Sequence, residues 1–129
     1  MNVPTNLKYT QNDEWINVDG NLGVVGITDY AQSQLSDIVY VEIILSVGDE
    51  VRKGDSAASI ESVKAAADVY IPVSGIIIEI NEALSNTPET LNNDPYGEGW
   101  MVKIELSNPS ELEELLDANA YEGKIQDKE

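Results

Sequence analysis

Turn-forming residues interrupt this chain so often that no strand between them can be long. Val47-Gly48-Asp49-Glu50-Val51-Arg52-Lys53-Gly54-Asp55 holds two Gly-Asp pairs and reads as two turns flanking a short strand. Asp19-Gly20-Asn21 separates the apolar-rich runs Trp15 to Val18 and Leu22 to Gly26, and Asp-Gly supplies the positive φ angles that a tight hairpin needs. Ile38 to Leu45, Ala57 to Glu61, Val69 to Ile71, Ile76 to Ile80 and Trp100 to Leu106 are further short runs of β-favouring residues, with a corner at Pro72 to Gly75. Many short strands with frequent turns predict a mainly β chain, folded as a sandwich or flattened barrel.

Helices are brief in this reading. Thr28 caps a short one that runs to Gln34 or Leu35 and buries Ala31 and Leu35. Ser110-Glu111-Leu112-Glu113 matches a capping box, after which Leu112, Leu115 and Leu116 form one apolar face. The polar stretch from Asn81 to Gly99 reads as an ordered surface loop with one helical turn near Pro88 to Leu91. A last helical turn covers Ala118 to Ile125, and about 126–129 should fray. The chain has no sequence repeat, and residues 1–129 fit one domain whose 42% apolar content suffices for a core.

Charge and missing residue types exclude much. With 24 acidic and 7 basic residues the net charge is −17, which repels phosphate backbones and anionic lipid headgroups, so neither nucleic acid nor membrane is an expected partner. The absence of cysteine removes disulfides, thiolate nucleophiles and sulfur ligands for metal. The absence of histidine removes every Ser-His or Cys-His arrangement, so no catalytic residue and no metal site is assigned. No signal core, Arg-rich presequence or membrane-length apolar run is seen, and a cytoplasmic monomer is the expectation, a processed organellar form having the same appearance.

Several motifs reduce to ordinary structure. Gly20, Gly23 and Gly26 are misspaced for a dinucleotide fingerprint. Asp117 to Gly123 resembles a calcium loop, but its glycine comes one position late and the region is helix-prone. Asn108-Pro-Ser is blocked as a glycosylation acceptor by its proline. The pairs Asp13-Glu14 and Glu113-Glu114 read, on pattern alone, as solvated charges, while Trp15, Tyr40 and Trp100 read as core or rim residues.

Lys64 stands apart from these. It lies in Ile60-Glu61-Ser62-Val63-Lys64-Ala65-Ala66-Ala67-Asp68-Val69-Tyr70, with Gly48 sixteen residues before it and Gly75 eleven after. β-favouring residues on both sides of a short break place it at a hairpin tip, and the two glycines suit the turns around such a hairpin. A lysine amine is ordinarily protonated and a poor nucleophile, so its modification requires a dedicated enzyme that finds it rigidly presented. Ala65, Ala66 and Ala67 leave that approach uncrowded. The pattern points to an acyl-carrier lysine.

Glu61-Ser62-Val63-Lys64-Ala65, followed by Asp68, closely resembles the lipoyl-lysine motif of glycine cleavage system H proteins. The resemblance continues through Glu14-Trp15, Val25-Gly26-Ile27-Thr28-Asp29-Tyr30-Ala31-Gln32, Asp37 to Glu42, Val47-Gly48-Asp49-Glu50-Val51, Pro72-Val73-Ser74-Gly75 and Asp94-Pro95-Tyr96-Gly97-Glu98-Gly99-Trp100. Val63-Lys64-Ala65 differs from the Asp-Lys-Ala of generic lipoyl domains and the Met-Lys-Met of biotinyl domains. Two departures occur: Asp13 replaces the family's usual histidine before Glu-Trp, and Ala66-Ala67 replaces a more typical small or hydroxyl-bearing pair.

The resemblance implies a flattened barrel of the lipoyl/biotinyl, or barrel-sandwich hybrid, type with short flanking helices. It implies that Lys64 carries lipoic acid as an amide, with Gly48, Glu61, Ser62, Val63, Ala65 and Gly75 forming the hairpin and its motif. The implied role is carriage of the aminomethyl group of glycine without catalysis. The implied partners are a pyridoxal-phosphate glycine decarboxylase (P protein), a tetrahydrofolate-dependent aminomethyltransferase (T protein), a dihydrolipoamide dehydrogenase (L protein), and a lipoate ligase or lipoyl/octanoyl transferase. Asn12, Glu14 and Asp68 would line a cleft where the arm rests. A lipoyl relay or scaffold serving other partners is the alternative, kept open by Asp13.

Overall fold

The computed structural model describes residues 1–128. Among the described residues, nine strands form two antiparallel sheets. The larger is ordered β1 (Lys8–Tyr9), β2 (Glu14–Asp19), β3 (Leu22–Ile27), β9 (Val102–Leu106), β8 (Gly75–Ile80) and β5 (Glu50–Val51). The smaller has β6 (Ser56–Ser62) at its centre, with β4 (Ile38–Ile43) and β7 (Ala66–Tyr70) at its edges. The expected mainly β sandwich with short helices is what the chain forms.

The main core lies between the sheets, where Ile16, Val25, Ile77 and Ile104 of one meet Val41, Ile60 and Val69 of the other. Strand alternation then divides β2 between two environments. Glu14 and Ile16 point to the inter-sheet side, whereas Trp15 joins a second cluster with Leu7, Tyr9, Tyr30, Tyr121 and Ile125. Gly26 is Trp15's register partner, and a Cβ there would stand 2.8 Å from the indole, so the large ring requires a residue without a side chain opposite it.

Helix α1 (Asp29–Leu35) starts as its sequence predicts, with the Thr28 hydroxyl accepting the Ala31 amide at 3.1 Å. The loop after β8 is more ordered than its composition suggests, with a 3-10 turn at Glu82–Ser85 and a short helix α2 at Thr90–Asn93, two residues beyond the expected place. The proposed capping box does not form. Pro109 instead starts a 3-10 helix (Pro109–Glu114), the Ser110 hydroxyl donates to Asn108 Oδ1 at 2.6 Å, and the Glu111 carboxylate, a middle residue of the box, accepts the Ser74 amide and hydroxyl at 2.7 and 3.0 Å. Leu112 and Leu115 consequently pack on the main core while Leu116 packs on the second cluster.

Helix α3 (Ala118–Lys128) is longer than the expected final turn, reaching into the stretch read as a fraying tail, whose last residue lies outside the described residues. Its beginning accounts for the calcium-like run, since Asp117 Oδ1 accepts the Ala120 amide at 2.8 Å. Among the described residues no acidic cluster could hold a metal ion, and no helix is long and apolar enough to cross a membrane.

Candidate functional site

Lys64 is exposed at the tip of the β6–β7 hairpin, just past the last register pair, Glu61 with Ala66. The Ser62 side chain makes the turn. Its hydroxyl accepts the Ala65 amide at 3.0 Å and donates to the Ala65 carbonyl at 3.1 Å, while the Ser62 amide donates to that same carbonyl at 2.8 Å. Val63, 67% exposed, is pinned through its amide to the Asp37 carbonyl at 3.0 Å. No ion pair engages the Lys64 ammonium among the described residues. The backbone is thus fixed while the amine stays available.

The two flanking glycines differ in place. Gly48, at φ 96°, lies in the turn before β5 and donates its amide to the Ile77 carbonyl at 2.7 Å, whereas Gly75 sits within β8 opposite Val51 and Leu106. Gly48 meets a conformational demand, as expected of a turn. Gly75 meets a spatial one, because a Cβ would collide with the Glu105 carbonyl.

Asn12, Glu14 and Asp68 line one cavity of about 170 Å³ beneath β7. Its apolar wall includes Ile27, Leu35, Ile60 and Val69, and helix α1 contributes Ala31 and Gln34. Asp68 lies four residues along the chain from Lys64, about 13 Å of extended backbone. A second hollow of about 270 Å³ adjoins Asn12 and Glu14 from the side of Thr10, Lys53 and Tyr70. A larger hollow, about 760 Å³, is an open groove between β4 and the Glu82–Ser85 turn on the opposite edge of the small sheet, away from Glu14.

Glu14 was legible on pattern as a solvated charge, but it is only 2% exposed. Its Oε1 accepts the Thr10 hydroxyl at 2.7 Å and its Oε2 accepts the Tyr70 amide at 3.0 Å. Burial pushes its pKa up to about 7, against the downward pull of the Tyr70 and Thr10 hydrogen bonds, with the Asp13 charge adding to the rise. The site therefore contains a carboxyl group poised near neutrality in a chain without histidine. A largely apolar pocket lined in part by such a residue suits an apolar arm with a cationic end.

Asp13, where the family pattern has histidine, has φ 68°. Aspartate, asparagine and histidine are the side chains that enter this left-handed region most readily, so the exchange keeps the backbone of the turn. Its carboxylate accepts the Tyr121 hydroxyl at 3.0 Å and lies 3.8 Å from the Lys124 ammonium. Thr10, Tyr70 and Tyr121 escaped the sequence reading because their bonds to the site join residues 4, 56 and 108 positions apart, and only the nearest leaves a local pattern.

Two packed sheets that expose a lysine on a hairpin, above a pocket reached along the same strand, define a carrier domain of the lipoyl/biotinyl type. The Glycine cleavage H-protein family model matches residues 7–128. The glycine cleavage system H protein of Carboxydothermus hydrogenoformans is 52% identical over 126 residues, covering 98% of this chain and 96% of its own. That of Thermotoga maritima is 56% identical over 115 residues, covering 89% and 92%. The crystal structure of a glycine cleavage system H protein from Mycobacterium marinum superposes with a TM-score of 0.86 at 36% identity, covering 95% of this chain and 98% of that one. The chain belongs to the glycine cleavage H-protein family, a carrier component of the glycine cleavage system.

Proposed function

We propose that Lys64 carries lipoic acid in amide linkage and that the chain shuttles the aminomethyl group of glycine, without catalysing a step itself. It would receive the group at the glycine decarboxylase, yield it at the tetrahydrofolate-dependent aminomethyltransferase, and be reoxidised by dihydrolipoamide dehydrogenase. A lipoate ligase or lipoyl/octanoyl transferase would install the arm, and the bacterial relatives favour a cytoplasmic setting. The observation that carries the reading is the exposed Lys64 amine on a pinned turn, one strand away from a pocket that ends in a buried carboxyl group.

When bound, the lipoyl group supplies a disulfide whose sulfurs accept and release the one-carbon cargo. The protein's own residues do the rest. Ser62 and the Asp37 carbonyl hold the turn so that a modifying enzyme meets the lysine in one orientation. Ile27, Leu35, Ile60 and Val69 offer the arm an apolar wall, and Asn12, Glu14 and Asp68 gather polar groups at its end. A cationic cargo there would draw Glu14 into its carboxylate form, releasing a proton, and closure around it would exclude water. The contact must stay weak, because one arm has to leave for three active sites.

The test is the intact mass of the purified chain before and after incubation with lipoate, ATP and a lipoate ligase, beside Lys64→Arg. One lipoyl addition, absent from the variant, is expected. No addition to the folded wild-type chain, with the ligase active on a control domain, would overturn the assignment of Lys64.

A further inference from the structure

The cavity beneath β7 has two walls that meet at the backbone through the Glu14–Ile27 register pair and the Thr28 amide to Asp13 carbonyl bond. One is the turn that carries Asn12, Asp13 and Glu14; the other is helix α1, with Ala31, Gln34 and Leu35. We propose that Tyr121, on the C-terminal helix, is a positioning residue for this cavity, its hydroxyl bridging Asp13 on one wall and Thr28 at the start of the other. The meaning of the cavity as an arm's resting place rests on the reading above; the bridge itself does not.

Hydrogen-bond chemistry permits one direction along the bridge. The Asp13 carboxylate can only accept, so Tyr121 must donate its single proton to it across 3.0 Å. The Tyr121 oxygen then accepts from the Thr28 hydroxyl at 2.6 Å. Thr28 still has lone pairs for the Ala31 amide at 3.1 Å, the bond that caps α1. Each proton has one acceptor, and Thr28 and Tyr121 are both fully buried. A parallel backbone bond, Thr28 amide to Asp13 carbonyl at 3.0 Å, runs beside the side-chain bridge.

The ring that carries the hydroxyl is held independently. It stacks on Tyr9 with centroids 4.6 Å apart and planes 7° from parallel, and Lys124 on the same helix approaches Asp13. Removing the hydroxyl therefore leaves the helix seated while Asp13 loses a donor and Thr28 an acceptor. The walls then keep only their backbone connection, which opens more readily and lets water nearer to Glu14. The groups that face Glu14 are Asp13 and Asp68 on the cavity side and Tyr9, Lys53, Tyr70 and Glu114 on the other; none of these is altered by Tyr121→Phe.

The experiment uses the chain before lipoylation. Carboxyl-carbon NMR reads the Glu14 titration midpoint, and amide exchange reads the Thr28 N–H. Tyr121→Phe is expected to lower the midpoint by about one unit toward an ordinary glutamate and to speed Thr28 exchange roughly tenfold. Asp13→Asn and Asp13→Gly form a second pair. Both remove the Asp13 charge, which lowers the Glu14 midpoint alike in the two, and both suit the positive φ, but only asparagine retains the acceptor, so glycine should show the lower midpoint and the faster Thr28 exchange of the pair. If Tyr121→Phe fails to fold, this pair decides. A wild-type midpoint and exchange rate in Tyr121→Phe, or identical behaviour of the Asp13 pair, overturns the bridge. Lipoyl addition to the wild-type chain is measured alongside; its failure counts against Lys64 as the attachment site and leaves the midpoints to speak for the bridge.

Discussion

Glu14 closes the outer edge of β7 by accepting the Tyr70 amide at 3.0 Å, so the carboxyl group at the end of the cavity is also part of what holds the small sheet to the large one. On the proposed reading, structure and cargo recognition would share one side chain. Its behaviour with pH follows from that position.

Burial raises the Glu14 pKa from 4.5 to about 7 in the fold. Below the unfolded value the group is protonated in both states and its contribution is fully present. Between that value and about 7 the unfolded chain ionises first, and stability falls as pH rises; above the folded value the loss is complete. The expected loss is about 3 kcal/mol, measured by denaturant unfolding across this range and taken as the difference from Glu14→Gln, which lacks the titrating group. A variant with the same pH slope as wild type would remove Glu14 as its source.

Ser62→Ala should slow lipoyl addition several-fold while leaving global stability within about 1 kcal/mol of wild type. The hydroxyl makes local bonds to Ala65 on an exposed turn, so its loss affects the presentation of Lys64 more than the core. Ligation rates against ligase concentration, read beside thermal unfolding, check this. Unchanged rates would show that the enzyme orders the turn for itself.

The two glycines around the motif should fail differently. Gly75→Ala forces a methyl group into the Glu105 carbonyl and should cost about 3 kcal/mol, as overpacking against backbone does. Gly48→Ala meets open space and only the strain of φ 96°, about 1–2 kcal/mol. Equal losses by urea denaturation would contradict the distinct reasons given for the two.

Tyr9→Ala should cost about 4 kcal/mol and unseat the C-terminal helix. Tyr9 is fully buried, stacks on Tyr121, and exchanges backbone bonds with Leu116 at 2.8 Å in both directions. Tyr9→Phe keeps the ring and should cost only about 1 kcal/mol. Hydrogen exchange across Ala118–Lys128 would locate the damage.

What could be read in advance was whatever local chemistry decides. The Asp-Gly hairpin, the Thr28 cap and the exposed lysine tip each follow from a few neighbouring residues. The β1 strand was invisible because two residues carry no period, and the capping box was misread because Pro109 starts a 3-10 helix before Ser110, whose hydroxyl goes to Asn108. Glu14 shows the limit best. As one of an acidic pair it reads as a solvated charge, and the Tyr70 amide that receives its buried carboxyl is known only once the sheets meet.

The turn below Lys64 is fastened to the Asp37 carbonyl, and Asn92 ties the same connection down through Ile38, Ser36 and Gln32. The mount of Lys64 and one wall of the cavity are therefore parts of one frame, since the helix that precedes Asp37 also lines the cavity. On the proposed reading, whatever Lys64 carries would swing from a support that keeps a fixed relation to that cavity, so the attached arm would supply the motion and the protein the reference point.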